Sequence, residues 1–372
     1  MRKRILLLLL LICAMLLLTA CNGQSEQNPP QPPTIPQPPT QLPTTPPPPP
    51  SENIADALTR FNSVSFEFFD TITQVIGYAE SREEFDAVNA LIQHELLRMH
   101  QLFDIYNEYP NLNNLRTINQ NAGLAHVSVD PILIELIERS IDAYHLTNGT
   151  VNIALGPVLE IWHTHRHADT PTLPDMELLQ AANTYTNIHD IVVDAENGTV
   201  FLPYENMSLD VGGIAKGFAL EIVARLAQDA GFQSFLVNMG GDVIVADPPP
   251  EREFWNVGVE DPVGETRIVD VVSVTNMAVF ASGDYRRYLL IDDIPHGHII
   301  DPDTLMPAKL FRAVSVIHPS ALYAEILSTA VFIIDIDSGI ELLAEHGAEG
   351  IWITDDGQAF TTPGYSRFSD GF

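Results

Sequence analysis

The globular part of this 372-residue chain is predicted to be α+β. Two observations carry that reading. Runs with helical spacing and short strand-like runs follow one another without the strict β–α succession of a doubly wound sheet. Several strand runs also meet at compact turn signals, of which Glu196-Asn197-Gly198 is the clearest. No internal repeat is present.

The first residues stand outside that fold. Arg2, Lys3 and Arg4 precede an apolar run from Ile5 to Leu18, and Leu18-Thr19-Ala20-Cys21 follows. A positive start, an apolar stretch and small residues before a cut make a secretory signal. A cysteine directly after the small residues resembles the bacterial lipobox. Residues 1–20 are therefore expected to be removed and Cys21 to carry lipid (palmitate), tethering the chain to the cell membrane outside the cytoplasm. The alternative, an N-terminal membrane anchor, is disfavoured because the run is short for a span. The chain has two cysteines, Cys13 and Cys21. One leaves with the signal and the other takes the lipid. Thiol catalysis, cysteine-bound zinc and disulfides are thereby excluded from the mature domain.

The formal charge is −31, and loss of Arg2, Lys3 and Arg4 takes it to −34. That excludes nucleic acid as a partner and serves solubility beside a charged envelope. An anionic ligand would need local positive charge, for which Lys216, Arg286, Arg287, Lys309 and Arg312 are candidates. Residues 21–50 form the lipidated cysteine and a linker. Thirteen of the 28 prolines lie between Pro29 and Pro50. Such a run stays extended, at about 3.1 Å per residue, and holds the domain off the membrane. The globular domain is placed at 51–372.

Within it, residues 64–67 and 71–78 read as strands around Phe69-Asp70. Residues 83–103 read as a helix, with Phe85, Val88, Ile92, Leu96 and Met99 at helical spacing. Asp130-Pro131 opens a helix to about residue 145. Residues 191–193 and 199–202 flank Glu196-Asn197-Gly198 as a hairpin. A helix over 216–229 buries Phe218, Ala219, Ile222, Val223 and Leu226. Strands follow at 234–237, 243–245, 256–259, 268–272 and 314–317, and a helix at 322–333.

The segment Leu209-Asp-Val-Gly-Gly-Ile-Ala-Lys-Gly217 runs straight into the 216–229 helix. Paired glycines let a backbone bend sharply and approach a ligand. A helix N-terminus beyond them offers N–H groups to an anion. Asp210 and Lys216 put one charge of each sign at the ends of the turn. A phosphorylated guest with a metal suits this, although a plain strand-to-helix turn has the same residues. It is not a Walker A loop, which ends in Gly-Lys-Ser/Thr. Further polar clusters sit at element ends. Asn238-Met-Gly-Gly-Asp242 follows a strand, Ala281-Ser-Gly-Asp-Tyr285 lies between strands, and His298-Ile-Ile-Asp-Pro302 follows one. Glu325 and Thr329 share a helix face. His163-Thr-His165-Arg-His167 has the composition of a metal site but is expected to be an exposed loop.

Taken in order, these blocks resemble the ApbE family of FAD:protein FMN transferases, from about Phe69 to Asp335. The resemblance rests on 209–219, 238–242, Trp255-Asn-Val-Gly-Val-Glu-Asp-Pro262, 281–285, 298–302 and 324–330. A weaker match runs from Thr147-Asn-Gly-Thr-Val-Asn152 to Gly156-Pro157. The resemblance implies a single α+β domain with FAD in a cleft between two subregions. It implies FAD contacts at Asp210, Lys216 and Ile299, with Thr150, Val151 and Asn152 beside the flavin or adenine and Phe69 at the flavin end. It implies magnesium held by the Gly213 carbonyl, Glu325 and Thr329, with Ser328 alongside. Oxygen ligands, one carboxylate and substrate phosphates agree with magnesium's chemistry. The implied reaction has a threonine of an acceptor protein, within a flavinylation motif, attack the flavin-side phosphorus so that AMP leaves. His298 is the candidate base. Asp284 is the runner-up, acting directly or by orienting His298.

Three departures stand out. The family's metal carboxylate is usually Asp, and here it is Glu325. Gly297 replaces the first of two histidines, and Leu305 replaces a glycine. FAD hydrolysis to FMN and AMP, a flavin-storing lipoprotein and a generic solute-binding lipoprotein remain open at this level.

Overall fold

The computed structural model describes residues 58–262, 268–285, 287–291 and 294–371. The signal, Cys21, the proline-rich linker, the boundary at 51 and Arg286 lie outside the described residues.

The fold is built on eight antiparallel strands. The first pair is β1 (Thr59–Phe68) and β2 (Thr71–Ala79), and β3 (Val127–Ser128), β4 (Val192–Asp194) and β5 (Thr199–Phe201) form a small separate sheet in the order β3-β5-β4. The main sheet continues with β6 (Phe235–Met239) and β7 (Asp242–Val245). A separate hairpin, β8 (Trp255–Glu260) with β9 (Ile268–Val274), comes next, followed by β10 (Met277–Gly283). A second hairpin joins β11 (Tyr288–Ile291) to β12 (Ile294–Gly297). The chain closes its sheet with β13 (Ala313–His318), β14 (Glu349–Ile353) and β15 (Ala359–Thr361). The order across the main sheet is β1-β2-β6-β7-β10-β13-β14-β15. The α+β expectation holds.

Helices α1 (Arg82–Phe103), α2 (Leu115–Gln120), α3 (Pro131–Leu146), α4 (Gly156–Arg166), α5 (Met176–Asn183), α6 (Ala215–Asp229), α7 (Ala321–Ile333) and α8 (Ile336–Glu345) complete the domain. Local chemistry starts several of them. Ser81 caps α1 by accepting from the Glu84 amide, while the Glu84 carboxylate accepts from the Glu80 amide. Asp130 caps α3, with Pro131 in its first turn.

Helices α1, α6 and α7 stack on one another, and α7 packs directly on β10 and β13. On the opposite face, Trp255, Val257 and Val259 of β8 pack with Leu236, Val243, Val245, Val279 and Ile317 of the main sheet. The central strands are thus covered on both faces. This is why they read as short continuous apolar runs, whereas β8 alternates buried and exposed residues.

Several elements were not anticipated. Residues 281–283 belong to β10 rather than to a connection between strands. The 163–167 cluster is not a loop, because His163 to Arg166 form the last turn of α4. Gly156-Pro157 starts α4, since proline in a helix's first turn pre-sets the required φ.

The β1–β2 hairpin turns on Phe69 and Asp70, with φ of 50° and 52°. Two left-handed residues are what a two-residue turn of matching twist demands, and Asn-Gly is the usual sequence for it. Phe69 is held there by α1. Its amide donates to His100 Nδ1 at 3.3 Å, and its ring lies edge-on to the His100 ring at 5.7 Å. Asp70 is exposed, so its left-handed backbone has no packing to offset it. Replacing Asp70 with glycine is expected to stabilise the chain by about 0.5–1 kcal/mol. Thermal unfolding checks this, and an unchanged or lower midpoint would refute it.

Candidate active site

One cleft of about 1480 Å³ opens between the main sheet and the segment of α4 with its preceding loop. Small-molecule pockets usually occupy roughly 300–1,000 Å³, so the cleft has room for a dinucleotide and an approaching peptide segment. Phe69, Thr150, Val151, Asn152, Asp210, Gly213, Lys216, His298, Ile299, Glu325, Ser328 and Thr329 all line it. Asp284 does not.

The centre of the cleft is the N-terminus of α6. The sequence offered it as a cradle for a phosphate. The structure instead fills it with a carboxylate from α7: the Gly217 amide donates to Glu325 Oε2 at 2.6 Å. Glycine is required at 217 because a Cβ there would lie 2.5 Å from the Ala321 carbonyl and 2.9 Å from the Glu325 Cβ. The two helices therefore touch at this point. The second oxygen, Glu325 Oε1, is buried and accepts no hydrogen bond, and Lys216 Nζ stands 3.9 Å away. Burial raises the Glu325 pKa to about 7, against the opposing pull of Lys216.

Gly213 and Thr329 come together across the same space. A Cβ built on Gly213 would lie 3.6 Å from the Thr329 methyl and 3.7 Å from its hydroxyl. Ser328 is engaged differently. Its hydroxyl pairs with Ser282 at 3.0 Å and donates to the Glu325 carbonyl, which ties α7 to β10. Asp242 is a residue whose role the sequence reading missed. Its carboxylate pairs with Lys216 and also accepts from the Ala281 amide at 3.0 Å, joining β7, β10 and α6. The signal was present in Gly240-Gly241-Asp242: the glycines have φ of 67° and 105°, as a two-residue hairpin turn needs, and set Asp242 at the strand start.

Asp210 accepts from the Gly212 amide at 2.8 Å, and burial raises its pKa. Asn152 caps the short 3-10 turn Ile153–Leu155, and its amide group donates to the Thr186 carbonyl at 2.9 Å. The Asn152 side chain thus ties its own turn to the segment at Thr186. His163, Arg166 and His167 line the cleft from α4 and its C-terminus, with the two histidine rings 4.1 Å apart. Among the described residues no three His, Cys, Asp or Glu side chains converge on a metal.

His298 follows β12 and lines the cleft. Its Nδ1 lies 3.2 Å from the Arg287 carbonyl. A carbonyl only accepts, so Nδ1 carries the hydrogen and Nε2 the lone pair. Burial, then the charges of Arg287 and Arg166, lower its pKa to about 4. The imidazole is therefore neutral at neutral pH and able to take a proton. Asp284 stands apart. It is buried, pairs with Arg312 at 3.0 Å, and lies against Gly297, where a Cβ would come within 2.8 Å of the Asp284 Cβ. Its carboxylate is therefore engaged by Arg312 and does not line the cleft. The same packing accounts for Gly297: Asp284 fills the place a larger side chain would need.

Leu305, the third departure, has φ of 61°. Its side chain is buried with Trp162 and Leu155, and its carbonyl accepts from the Trp162 indole at 2.9 Å. Burial of a leucine, worth about 2 kcal/mol, exceeds the roughly 1 kcal/mol of a left-handed backbone. Of the proposed anion-binding cations, Lys216 and Arg287 reach the cleft. Lys309 and Arg312 do not, and Arg166 does so without having been singled out.

Fold and cleft define a class: an α+β domain with a large polar cleft in which a buried carboxylate, cations and a neutral histidine converge. Residues 69–352 match the model of the ApbE family. The chain is 33% identical over 259 residues to a FAD:protein FMN transferase of Treponema pallidum, covering 65% of this chain and 71% of the relative. It is 26% identical over 292 residues to one from Klebsiella pneumoniae, covering 77% and 82%. The crystal structure of the ApbE protein of Thermotoga maritima matches with a TM-score of 0.77 at 25% identity, over 84% of this chain and 99% of that one. The flavin transferase ApbE of Vibrio cholerae matches with a TM-score of 0.72 at 21% identity, over 84% and 99%. The chain belongs to the ApbE family.

The lowered pKa of His298 carries a stability consequence. The unfolded imidazole protonates near 6.5 and the folded one near 4. As pH falls through that window the unfolded state takes up the proton first, so stability present above 6.5 is lost. His298→Gln should reduce the loss between those pH values by on the order of 2–3 kcal/mol relative to the parent. Urea denaturation at both pH values measures it, and parallel losses in the two chains would contradict the assignment.

Proposed function

We propose that this chain transfers FMN from FAD to a target protein, as an FAD:protein FMN transferase whose acceptor group is a threonine hydroxyl. The observation that carries the reading is the convergence, from residues far apart in sequence, of Glu325 on the α6 N-terminus, the Gly213–Thr329 contact, Lys216 and a neutral His298 in one dinucleotide-sized cleft. In the reaction the threonine oxygen bonds to the flavin-side phosphorus. The bond to the bridging oxygen breaks, its electron pair leaves with AMP, and the hydroxyl proton passes to His298 Nε2. Asp210, Lys216 and Ile299 position FAD, with 150–152 and Phe69 at its ends. Positioning and charge placement supply most of the rate in phosphoryl transfer.

The buried Glu325 Oε1, which accepts no hydrogen bond, fits a divalent cation, and so does an all-oxygen donor set. Magnesium would be held by the Gly213 carbonyl, Glu325 and the Thr329 hydroxyl. Ser328 supports Glu325 and β10 through its present hydrogen bonds. When bound, magnesium neutralises pyrophosphate charge. Lys216 is the group that balances Glu325 without it. Residues 1–20 act as a signal, Cys21 carries the lipid, and the linker lets an extracytoplasmic domain reach membrane-bound or secreted acceptors.

Two measurements test this. Mass spectrometry of an acceptor domain bearing a threonine motif, after incubation with the full chain, FAD and magnesium, should show a gain of one FMN with release of AMP. No gain with any divalent metal would refute transfer, and AMP without labelled acceptor would point to hydrolysis. Secondly, magnesium affinity should follow Glu325. Below about 7 its carboxyl holds a proton that the metal must displace, so affinity should drop about tenfold per pH unit as pH falls. Glu325→Gln should weaken binding and flatten that dependence in calorimetry. A pH-independent affinity in the parent would exclude Glu325 as ligand.

A further inference from the structure

We propose that Arg166 and Arg287 form an anion subsite beside His298 that grips the oxygens of the phosphoryl group being transferred. This rests on the flavin-transfer reading and adds two residues to it. Both guanidinium groups line the cleft. Packing brings the segments that carry them together, although Arg287 itself is exposed. The Trp162 indole of α4 donates to the Leu305 carbonyl at 2.9 Å, and Trp162, Leu155 and Val158 share a cluster with Leu289 of β11 and Ile300. Helix α4, which ends on Arg166, is thereby packed on the hairpin segment that carries Arg287 at one end and His298 at the other. The Arg287 carbonyl accepts the His298 hydrogen, which holds the two residues together.

Neither arginine forms an ion pair with a described carboxylate, although the chain carries 49 Asp and Glu against 18 Lys and Arg. Arg166 Nε is buried with no hydrogen-bond partner. Burial, and to a lesser extent the nearby Arg287 charge, disfavour the charged form of Arg166; Tyr106 opposes them, but no carboxylate does. Four acids that line the cleft are engaged elsewhere. Asp104 accepts from the Tyr106 and Asn107 amides and the Tyr109 hydroxyl. Asp242 takes Lys216, Glu325 takes the Gly217 amide, and Asp210 takes the Gly212 amide. Two like charges converging in a partly dry cleft repel unless an anion lies between them.

Their position next to His298 selects which anion. A base must stand within hydrogen-bond reach of the attacking oxygen, and that oxygen bonds to the transferred phosphorus. Cations packed around the base therefore face the oxygens on which charge is spread as the bond to AMP breaks. Arginine suits this because its planar fork can hold two phosphate oxygens at once.

The test uses the full chain with magnesium and calorimetric titration of three probes: inorganic pyrophosphate, FAD, and riboflavin, which has no phosphate. Arg166→Gln and Arg287→Gln are each expected to weaken pyrophosphate and FAD by about tenfold or more and to leave riboflavin unchanged. Arg166→Lys should recover only part of the loss. Flavinylation of the acceptor should fall in kcat more than it rises in KM. Variants that bind pyrophosphate and FAD within about twofold of the parent and label the acceptor at its rate would overturn the subsite while leaving the transfer reading standing. A parent chain that shows arginine-dependent pyrophosphate binding but never labels an acceptor would do the reverse. A parent that binds neither pyrophosphate nor FAD overturns both. Should Arg166→Gln also lose riboflavin, through misfolding, Arg166→Lys decides: full pyrophosphate affinity in that variant refutes the fork.

Discussion

Everything in the cleft depends on the contact between α6 and α7. A helix N-terminus has unpaired N–H groups and a partial positive charge, and something must answer both. Here the answer is Glu325, delivered from a helix more than a hundred residues downstream. The contact requires a glycine at 217, because the Ala321 carbonyl occupies the space of any side chain. Once the two helices touch, Thr329 falls beside Gly213, Ser328 reaches Ser282 on β10, and Lys216 meets both Glu325 and Asp242. One close approach therefore sets the separation of every oxygen and charge at the centre of the cleft.

The carboxylate that makes this contact is itself poised. Its Oε2 is held by backbone, while its Oε1 is buried without a hydrogen bond, and burial moves its ionisation into the neutral range. Such a group costs stability where it is alone and binds strongly where a cation arrives. At the other wall, the β11–β12 hairpin presents a histidine whose ionisation is moved the opposite way by the same cause. Burial favours the neutral form of each, leaving an acid that holds its proton longer and a base that stays free. Paired groups pushed apart in this manner are a recurrent sign of assigned roles in a site.

The departures from the family pattern are absorbed locally. Gly297 and Asp284 share one space, so the loss of a side chain at one is matched by a buried ion pair at the other, with Arg312. Leu305 keeps a left-handed backbone where a glycine is usual, because Trp162 gives its side chain a buried seat and its carbonyl a donor. The extra methylene of Glu325 reaches the α6 amides. In each case the neighbour that makes the change tolerable is distant in sequence.

Much was legible in the chain itself. Periodicity marked α1 and the apolar face of α6, because an amphipathic stripe is a local property. Asp130-Pro131 fixed where α3 begins. The paired glycines marked a turn into a helix, and the ordered blocks marked the family and most residues of the cleft. Other features were decided only by tertiary structure. The helix α4 was not anticipated because its last turn reads as a loop, and Arg166 lay within a histidine run that composition alone cannot orient. Asp284 and His298 look like partners in sequence, yet the Asp284 carboxylate is taken by Arg312 and only His298 lines the cleft. The Gly212-Gly213 segment promised an anion cradle, and which anion fills it was beyond local reading. The charge that caps α6 comes from α7, and sequence encodes the propensity of each helix but not the distance between them. That distance follows from how the two helices pack on the sheet, and it determines which oxygens are left to bind.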